Sequence, residues 1–324
     1  MSDQVLSVLI INADHKMGLA LTQALSRGGA RVLASTARGA AGASAIRTAG
    51  GIPIYPQLDR AESVRAMIAA GKASVVVNLV AHPLALSPYA APNYAKHLHS
   101  FNVVIAAIVQ ACRAAQVERF ISLSLGCVYG DTEGAIVDED SATQADHPLA
   151  RAALRAEKLT LDAGADILRL GYVYGDDEAS LALLDGVKRG RAFLPGPGKA
   201  SFVHQDDVVS AIVALIHAER GREGRVYNVS DDQPTTHNAF LATIGQALGV
   251  GAPLKLPFQL IPDEQRSALL TQSFALSNSR AKAELGWKPT YASVSEGIER
   301  ILLLQRAAAA PSTPTTAQKD LTIA

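Results

Sequence analysis

The sequence predicts an α/β protein built on a doubly wound, Rossmann-like parallel sheet with a smaller C-terminal lobe. Two observations carry this prediction. Apolar runs of strand length alternate with segments of helical period along the first half of the chain, which is the pattern of parallel strands joined by helical crossovers. The first of these units is residues 5–29, in which a strand, a short polar turn and a helix-period segment end at Gly28-Gly29.

The remaining strands and helices follow from the same patterns. Residues 73–81 form a continuous apolar run of the kind that is buried on both faces of a parallel sheet. Right-handed crossovers then place helices on both faces. Further strands are expected at residues 30–35, 52–55, 119–124 and 165–170. Further helices are expected at residues 62–70, 101–115, 150–161, 208–217, 234–248 and 293–304.

The regular alternation loosens after residue 170, and this change suggests how the chain is divided. We expect a dinucleotide-binding domain over residues 1–170, completed by a strand and helix at 201–219. Residues 171–200 and 220–305 are expected to form the substrate lobe. Residues 306–324 are low in sequence complexity, so we expect a disordered tail.

Composition excludes several classes of partner. The chain has 324 residues, of which 48% are hydrophobic and 19% charged, and its formal net charge is zero. Interspersed charge of both signs predicts no nucleic-acid partner, and no apolar run is long enough to span a membrane. The stretch before the first strand lacks a basic region, which favours a strand over a signal peptide there. Cys112 and Cys127 lack zinc-type spacing, so we expect buried thiols, no metal and a cytoplasmic location.

The turn after the first strand lies where a dinucleotide fold binds the pyrophosphate, against N–H groups at a helix N-terminus. This turn is usually glycine-rich, but here only Gly18 is kept, and Asn12, Asp14 and His15 precede it. We expect Asp14 to cap the helix in place of a phosphate, with His15 in the phosphate's space, which would weaken NAD or NADP binding. The alternative is that both side chains swing outward and a dinucleotide still binds. The candidate cofactor-binding residues are Asn12, Asp14, His15, Met17, Gly18, Arg38, Leu79, Val80 and Ala81.

Several motifs in order give the chain a family resemblance over roughly residues 5–305. It resembles the extended short-chain dehydrogenase/reductases of the NAD-dependent epimerase/dehydratase group. That resemblance implies the same Rossmann-like fold and an NAD(P) cofactor. The motifs are Asn102, Gln116–Ser124, Val128-Tyr-Gly130, Ile167–Gly175, Ser201–Val208, Val226–Val229 and Ser277–Pro289.

The resemblance also implies a proton relay made of a serine or threonine, a tyrosine and a lysine. Counting from Val128-Tyr-Gly130 and from Glu157 places these positions on Leu125, Leu149 and Ala153. Residues 131–171 contain no tyrosine and a single lysine, so a shifted alignment does not restore the relay. Because positioned acid–base catalysis contributes about 10²–10⁴-fold in rate, its loss predicts impaired catalysis.

Other positions implied by the resemblance also differ. The aspartate that contacts adenine falls on Gln57, and the arginine that grips a nucleotide-sugar pyrophosphate falls on Ala200. Arg38 follows the second strand, where a 2′-phosphate would be bound, and it favours NADP if a cofactor is retained. The alternative for Arg38 is a solvated loop residue.

Three interpretations of the function follow. The first is a non-catalytic scaffold, regulatory or ligand-sensing protein. The second is an epimerase, dehydratase or reductase that acts on a nucleotide-sugar-like substrate with a relocated acid or base, for which the candidates are Ser124, Tyr172 and His204. The third is a lyase or isomerase without redox chemistry. Each of these three candidate residues also has a structural interpretation. Tyr172 can be a packing residue, and His204 can belong to a strand–helix junction capped by Asp207. Ser124 has no His or Asp close in sequence that would activate it.

The Ala- and Leu-rich helices at residues 101–115 and from residue 150 suggest association. In the family that the chain resembles, the corresponding helices pair across a two-fold axis, so we expect a homodimer or a subunit of a larger complex. The alternative is that both helices are buried within a monomer.

Overall fold

The structure is a computed structural model that describes residues 5–80, 94–144, 146–194, 198–219, 224–255 and 269–309. The described strands are β1 Ser7–Ile11, β2 Arg31–Ser35, β3 Ile52–Ile54, β4 Val75–Asn78, β5 Arg119–Leu125, β6 Ile136–Val137, β7 Asp166–Leu170, β8 Tyr172–Tyr174, β9 Phe193–Leu194, β10 Lys199–Ala200, β11 Phe202–His204, β12 Val226–Val229, β13 Thr235–Thr236, β14 Leu254–Lys255 and β15 Ala275–Leu276. The described helices are α1 Lys16–Arg27, α2 Gly39–Thr48, α3 Ala61–Gly71, α4 Tyr94–Ala115, α5 Pro148–Leu161, α6 Glu178–Lys188, α7 Gln205–His217, α8 His237–Ala247, α9 Ser279–Leu285 and α10 Val294–Ala309, with a 3₁₀ turn at Gly126–Tyr129.

A seven-stranded sheet forms the centre of the molecule. Its strand order is β12-β7-β5-β4-β1-β2-β3, and every neighbouring pair is parallel. All residues of β1, β4, β5 and β7 are buried, because helices cover both faces of the sheet. This architecture confirms the predicted Rossmann-like α/β fold.

The order of the strands fixes where a ligand can bind. β1 lies between β4 and β2, with Val8 opposite Val32 on one side and Val75 on the other. The chain therefore moves outward in opposite directions on the two sides of β1, which creates a crevice at the carboxyl ends of β1 and β4. The turn from β1 into α1 opens at this crevice.

Several element boundaries differ from the predicted ones for local reasons. Helix α5 begins at Pro148, because proline suits the first position of a helix and His147 caps it. Helix α7 begins at Gln205 with His204 as its N-cap, so the expected capping role of Asp207 is wrong. Helix α10 continues to Ala309, so residues 306–309 are helical and not part of a disordered tail. The rest of the proposed tail lies outside the described residues.

The smaller lobe packs around aromatic rings. Phe202 and Phe240 stack with their ring centroids 4.4 Å apart. Tyr172 contacts Phe202 and Phe274 at 5.9 and 5.3 Å. Four short strand pairs accompany this core, β8–β11, β10–β13, β9–β14 and β6–β15. Within the described ranges, none of the helices combines the length and apolar character that a bilayer crossing requires.

Candidate functional site

The turn between β1 and α1 keeps the shape of a glycine-rich turn with fewer glycines. Asn12 has a φ of 61°, a left-handed conformation that asparagine tolerates better than most residues. Gly18 cannot carry a side chain, since a Cβ there would lie 2.5 Å from the backbone oxygen of Ala13. Two of the three glycine roles of this turn, the left-handed corner and the close helix–strand contact, are therefore fulfilled.

The N-terminus of α1 is capped by His15, so the expectation that Asp14 caps this helix is wrong. The His15 Nδ1 accepts a hydrogen bond from the Gly18 N–H at 3.4 Å, which assigns the ring proton to Nε2. Burial is the main reason that the pKa of His15 lies below its ordinary value, so the ring is neutral near pH 7. The Lys16 and Met17 N–H groups, in the first turn, have no acceptor within a helix.

The Asp14 carboxylate instead binds the loop that follows β2. Its Oδ2 accepts hydrogen bonds from the Thr36 hydroxyl at 2.6 Å, the Ala37 N–H at 2.8 Å and the Arg38 N–H at 3.1 Å. Burial raises the pKa of Asp14, but these hydrogen bonds outweigh burial and lower its pKa below the ordinary value. Asp14 is therefore a fixed negative charge between the first turn and the end of β2.

A cavity of about 330 Å³ lies beside this loop, at the carboxyl ends of β1, β2 and β3. It is lined by Asn12, Ser35, Thr36, Ala37, Tyr55, Pro56, Leu58, Asp59 and Val104. Its volume falls within the range of small-molecule sites. Gln57 is exposed and does not line this cavity.

Two more candidate cofactor residues, Leu79 and Val80, lie directly after β4. The Leu79 N–H donates to the Ile11 carbonyl at 3.1 Å, and the Val80 N–H donates to Asn78 Oδ1 at 3.1 Å. These bonds hold the β4 end against β1, on the crevice. Ala81 lies outside the described residues.

The three positions predicted to correspond to the proton relay lie in one part of the structure. Leu125, Leu149 and Ala153 are 5%, 1% and 3% exposed and belong to one apolar cluster. The space among them is about 10 Å³, roughly the volume needed for a single water probe. The described residues at these positions therefore form an apolar surface.

A buried polar network supports this apolar surface from behind. Ser124 donates to Glu157 Oε1 at 2.5 Å, and Arg169 forms a two-pronged ion pair with Glu157 at 3.0 and 2.7 Å. The Tyr129 hydroxyl accepts from Arg169 at 2.9 Å and donates to Asn228 Oδ1 at 2.8 Å. The network fixes α5 against β5 and β7, and Ser124, one of the candidate catalytic residues, is part of it.

The other two candidate catalytic residues lie on β8 and β11. The Tyr172 hydroxyl donates to the Leu269 carbonyl at 3.2 Å among aromatic rings. His204 is 1% exposed, its Nδ1 accepts from the Asp206 N–H at 3.2 Å, and its ring packs against Tyr291. A catalytic role for any of the three remains a prediction.

A profile of the NAD dependent epimerase/dehydratase family matches residues 16–230. The chain belongs to this family. A 3-diazoavenalumate denitrifying reductase from a Streptomyces species is 29% identical to it over 313 residues, covering 90% of this chain and 99% of the relative. A ketoreductase of Stigmatella aurantiaca, named for a farnesylated dihydroquinoline oxide, is 25% identical over 76% of this chain and 81% of its own length.

Solved structures of family members share the fold. The UDP-glucose 4-epimerase of Thermotoga maritima matches with a TM-score of 0.75 at 19% identity, covering 93% of this chain and 99% of the epimerase. The UDP-glucuronic acid 4-epimerase of Bacillus cereus, in complex with UDP-glucuronic acid and NAD, matches with a TM-score of 0.74 at 21% identity, covering 92% and 99%. In the described part of this chain, no group of three or more His, Cys, Asp or Glu residues is arranged to hold a metal ion.

Sequence reasoning did not predict that Asp14 binds the loop after β2. The side chain is 22 to 24 residues away from its three donors, and the contact depends on the pairing of β1 with β2. A carboxylate in the first turn and a hydroxyl at the end of β2 were the available signals.

Proposed function

We propose that this family member binds a nicotinamide dinucleotide and acts as a reductase that supplies no proton from its own side chains to the acceptor. One combination carries the proposal: the backbone cradle around Asn12 and Gly18 is kept, while Leu125, Leu149 and Ala153 fill the relay positions. When bound, the nicotinamide supplies the hydride. The chain's own residues bind the dinucleotide, orient it and exclude water with an apolar surface.

An acceptor suited to this surface does not need a proton when it receives the hydride. A diazonium-like carbon meets that condition, because hydride forms the new C–H bond while the C–N bond breaks and its electron pair leaves with N₂. The name of the Streptomyces relative, a denitrifying reductase of a diazo compound, supports this acceptor class. Ala200 is buried at the position where a guanidinium would grip a nucleotide sugar, which favours a smaller acceptor.

A second candidate function is a non-catalytic scaffold, regulatory or ligand-sensing role. The hydrogen bond from the Gly18 N–H to His15 favours it, since a side chain then takes one of the donors at the helix N-terminus that an anion would use. Under this alternative the crevice binds a nucleotide weakly or not at all, and no turnover occurs.

The two candidates are separated by combining a binding measurement with a turnover measurement. Calorimetric titration with NADH and NADPH is followed by nucleotide oxidation assays with 3-diazoavenalumate, UDP-glucose or no acceptor. We expect micromolar binding and acceptor-dependent oxidation with the diazo compound, suppressed by excess ADP-ribose. Binding without oxidation of any acceptor would support the sensing role, and epimerisation of UDP-glucose would overturn the reductase proposal.

We also infer a cytoplasmic location and a homodimer. Cys112 and Cys127 are buried, unpaired thiols, whose pKa values burial raises to about 12, and such unreactive thiols are common in a reducing compartment. Helices α4 and α5 lie side by side. Each exposes one large apolar residue, Val103 on α4 and Leu159 on α5, at 42% accessibility, and this exposed apolar surface supports pairing of these helices between two copies.

A further inference from the structure

The end of β2 lacks the acidic residue that commonly reads a ribose in NAD-binding folds of this type. Residues 35–38 are Ser-Thr-Ala-Arg, whereas an aspartate or glutamate at this place usually accepts from the ribose 2′-hydroxyl. A carboxylate is nevertheless present at the end of β2, because Asp14 reaches from the first turn to Thr36 and Ala37. We propose that Asp14 reads the adenosine ribose and selects NAD(H) over NADP(H), a specificity that rests on the dinucleotide binding proposed above.

The two oxygens of Asp14 have different surroundings. Oδ2 accepts all three hydrogen bonds from Thr36, Ala37 and Arg38, which fixes the carboxylate. Oδ1 accepts no hydrogen bond from the residues that the structure describes. A ribose hydroxyl can donate to this second oxygen without displacing any existing bond.

A 2′-phosphate faces the opposite situation. The hydroxyl of Thr36 and the N–H groups of Ala37 and Arg38 are the kind of converging donors that bind a phosphate, and Asp14 already occupies them. The low pKa of Asp14 keeps it ionised at neutral pH, so a phosphate would also meet a negative charge at short range. NADPH must displace or neutralise this carboxylate, whereas NADH need not.

The exposed Arg38 side chain is the feature that argues for NADP. Its guanidinium is on the solvent side of the loop, where charge is screened, while its own N–H is held by Asp14. Asp14 is 9% exposed and held by three hydrogen bonds, whereas no described hydrogen bond holds the Arg38 side chain. We therefore expect Asp14 to have the larger effect on the choice between NAD(H) and NADP(H).

The 330 Å³ cavity, in which the proposal places the adenosine, lies next to the Asp14 carboxylate. Thr36 and Ala37, two of the three donors to Asp14, line the 330 Å³ cavity together with Asn12 and Tyr55. A nucleoside in this cavity places its ribose near the Thr36–Ala37 backbone. Asp59 lines the same cavity but bonds neither of these N–H groups, which makes it a matched control of equal charge.

The test is the ratio of the dissociation constants for NADPH and NADH, measured by calorimetry for the wild type, Asp14→Asn and Asp59→Asn. We expect the wild type to bind NADH at least tenfold more tightly. Asp14→Asn should reduce the ratio at least tenfold, and Asp59→Asn should change both constants alike and leave the ratio within about threefold. Thermal melting checks that each variant is folded.

A second measurement needs no variant. The wild type should bind 5′-AMP more tightly than adenosine 2′,5′-bisphosphate, which differs by the 2′-phosphate alone. Equal or tighter binding of NADPH and of the bisphosphate, or an unchanged ratio in folded Asp14→Asn, would overturn the role of Asp14 and leave the proposed function intact. Failure of the wild type to bind either dinucleotide would overturn both.

Discussion

Glu157→Gln tests how strongly the buried network holds α5 on the sheet. Glu157 and Arg169 are 4% and 8% exposed and make two hydrogen bonds of 3.0 and 2.7 Å. Glutamine keeps the shape but removes the charge, so the guanidinium of Arg169 is left buried without a counter-ion. Breaking one side of a buried ion pair costs about 3–5 kcal/mol, and we expect a loss of this size in the free energy of unfolding.

The same helix offers a matched control. Lys158 and Asp162 form an ion pair at 3.5 Å, but their side chains are 79% and 57% exposed. Asp162→Asn should therefore cost about 0.5 kcal/mol or less. Urea unfolding followed by the fluorescence of Trp287, the single tryptophan of the chain, measures both variants. The reasoning fails if Glu157→Gln destabilises the protein no more than Asp162→Asn does.

Three further predictions concern other parts of the molecule. Gly18→Ala places a Cβ 2.5 Å from the backbone oxygen of Ala13, so the free energy of unfolding should fall by about 1–3 kcal/mol or more. Gly186→Ala, which has open space in α6, should raise it by about 0.5–1 kcal/mol in the same urea assay. Burial raises the pKa of Asp231 to about 8, so the folded protein holds a proton that the unfolded chain releases, and stability should fall as pH rises from about 4 to 8. Asp231→Asn should flatten this slope and raise the unfolding free energy at pH 8 by more than about 1 kcal/mol, and an unchanged slope would contradict the assignment. Leu159→Glu on the exposed face of α5 should convert the expected dimer to a monomer in light scattering, and a wild-type monomer at micromolar concentration would refute the dimer.

The sequence predicted the fold well because the main signal is local. The apolar runs that became β1, β4 and β5 are long enough to identify without knowing their neighbours, and their alternation with helices predicts a parallel sheet. The order of the strands was not predicted, because it depends on pairing between distant segments. The assignment of the relay positions to Leu125, Leu149 and Ala153, by counting from Val128-Tyr-Gly130 and Glu157, stays a prediction; the structure places the three residues in one apolar cluster.

The details of the first turn could not be predicted, because they depend on contacts between segments. Asp14 is a residue type that commonly caps helices and His15 is not, so sequence reasoning favours Asp14 unless its carboxylate finds better partners elsewhere. Three donors at the end of β2 provide those partners. The capping role then falls to the His15 imidazole, whose hydrogen bond of 3.4 Å is longer than a typical cap.

The fold does not depend on the proton relay, and there is a physical reason for this. The family relay needs a lysine and a tyrosine beside the cofactor, and a buried ammonium costs free energy unless it is paired. If Leu149 and Ala153 occupy the relay positions as predicted, they avoid that cost and extend the apolar packing of α5. Glu157 and Arg169 hold the helix in place through bonds that involve neither residue. If the relay is absent as the sequence predicts, the fold keeps its cofactor crevice without it, and the proposed reductase takes its proton from solvent or the acceptor, or needs none.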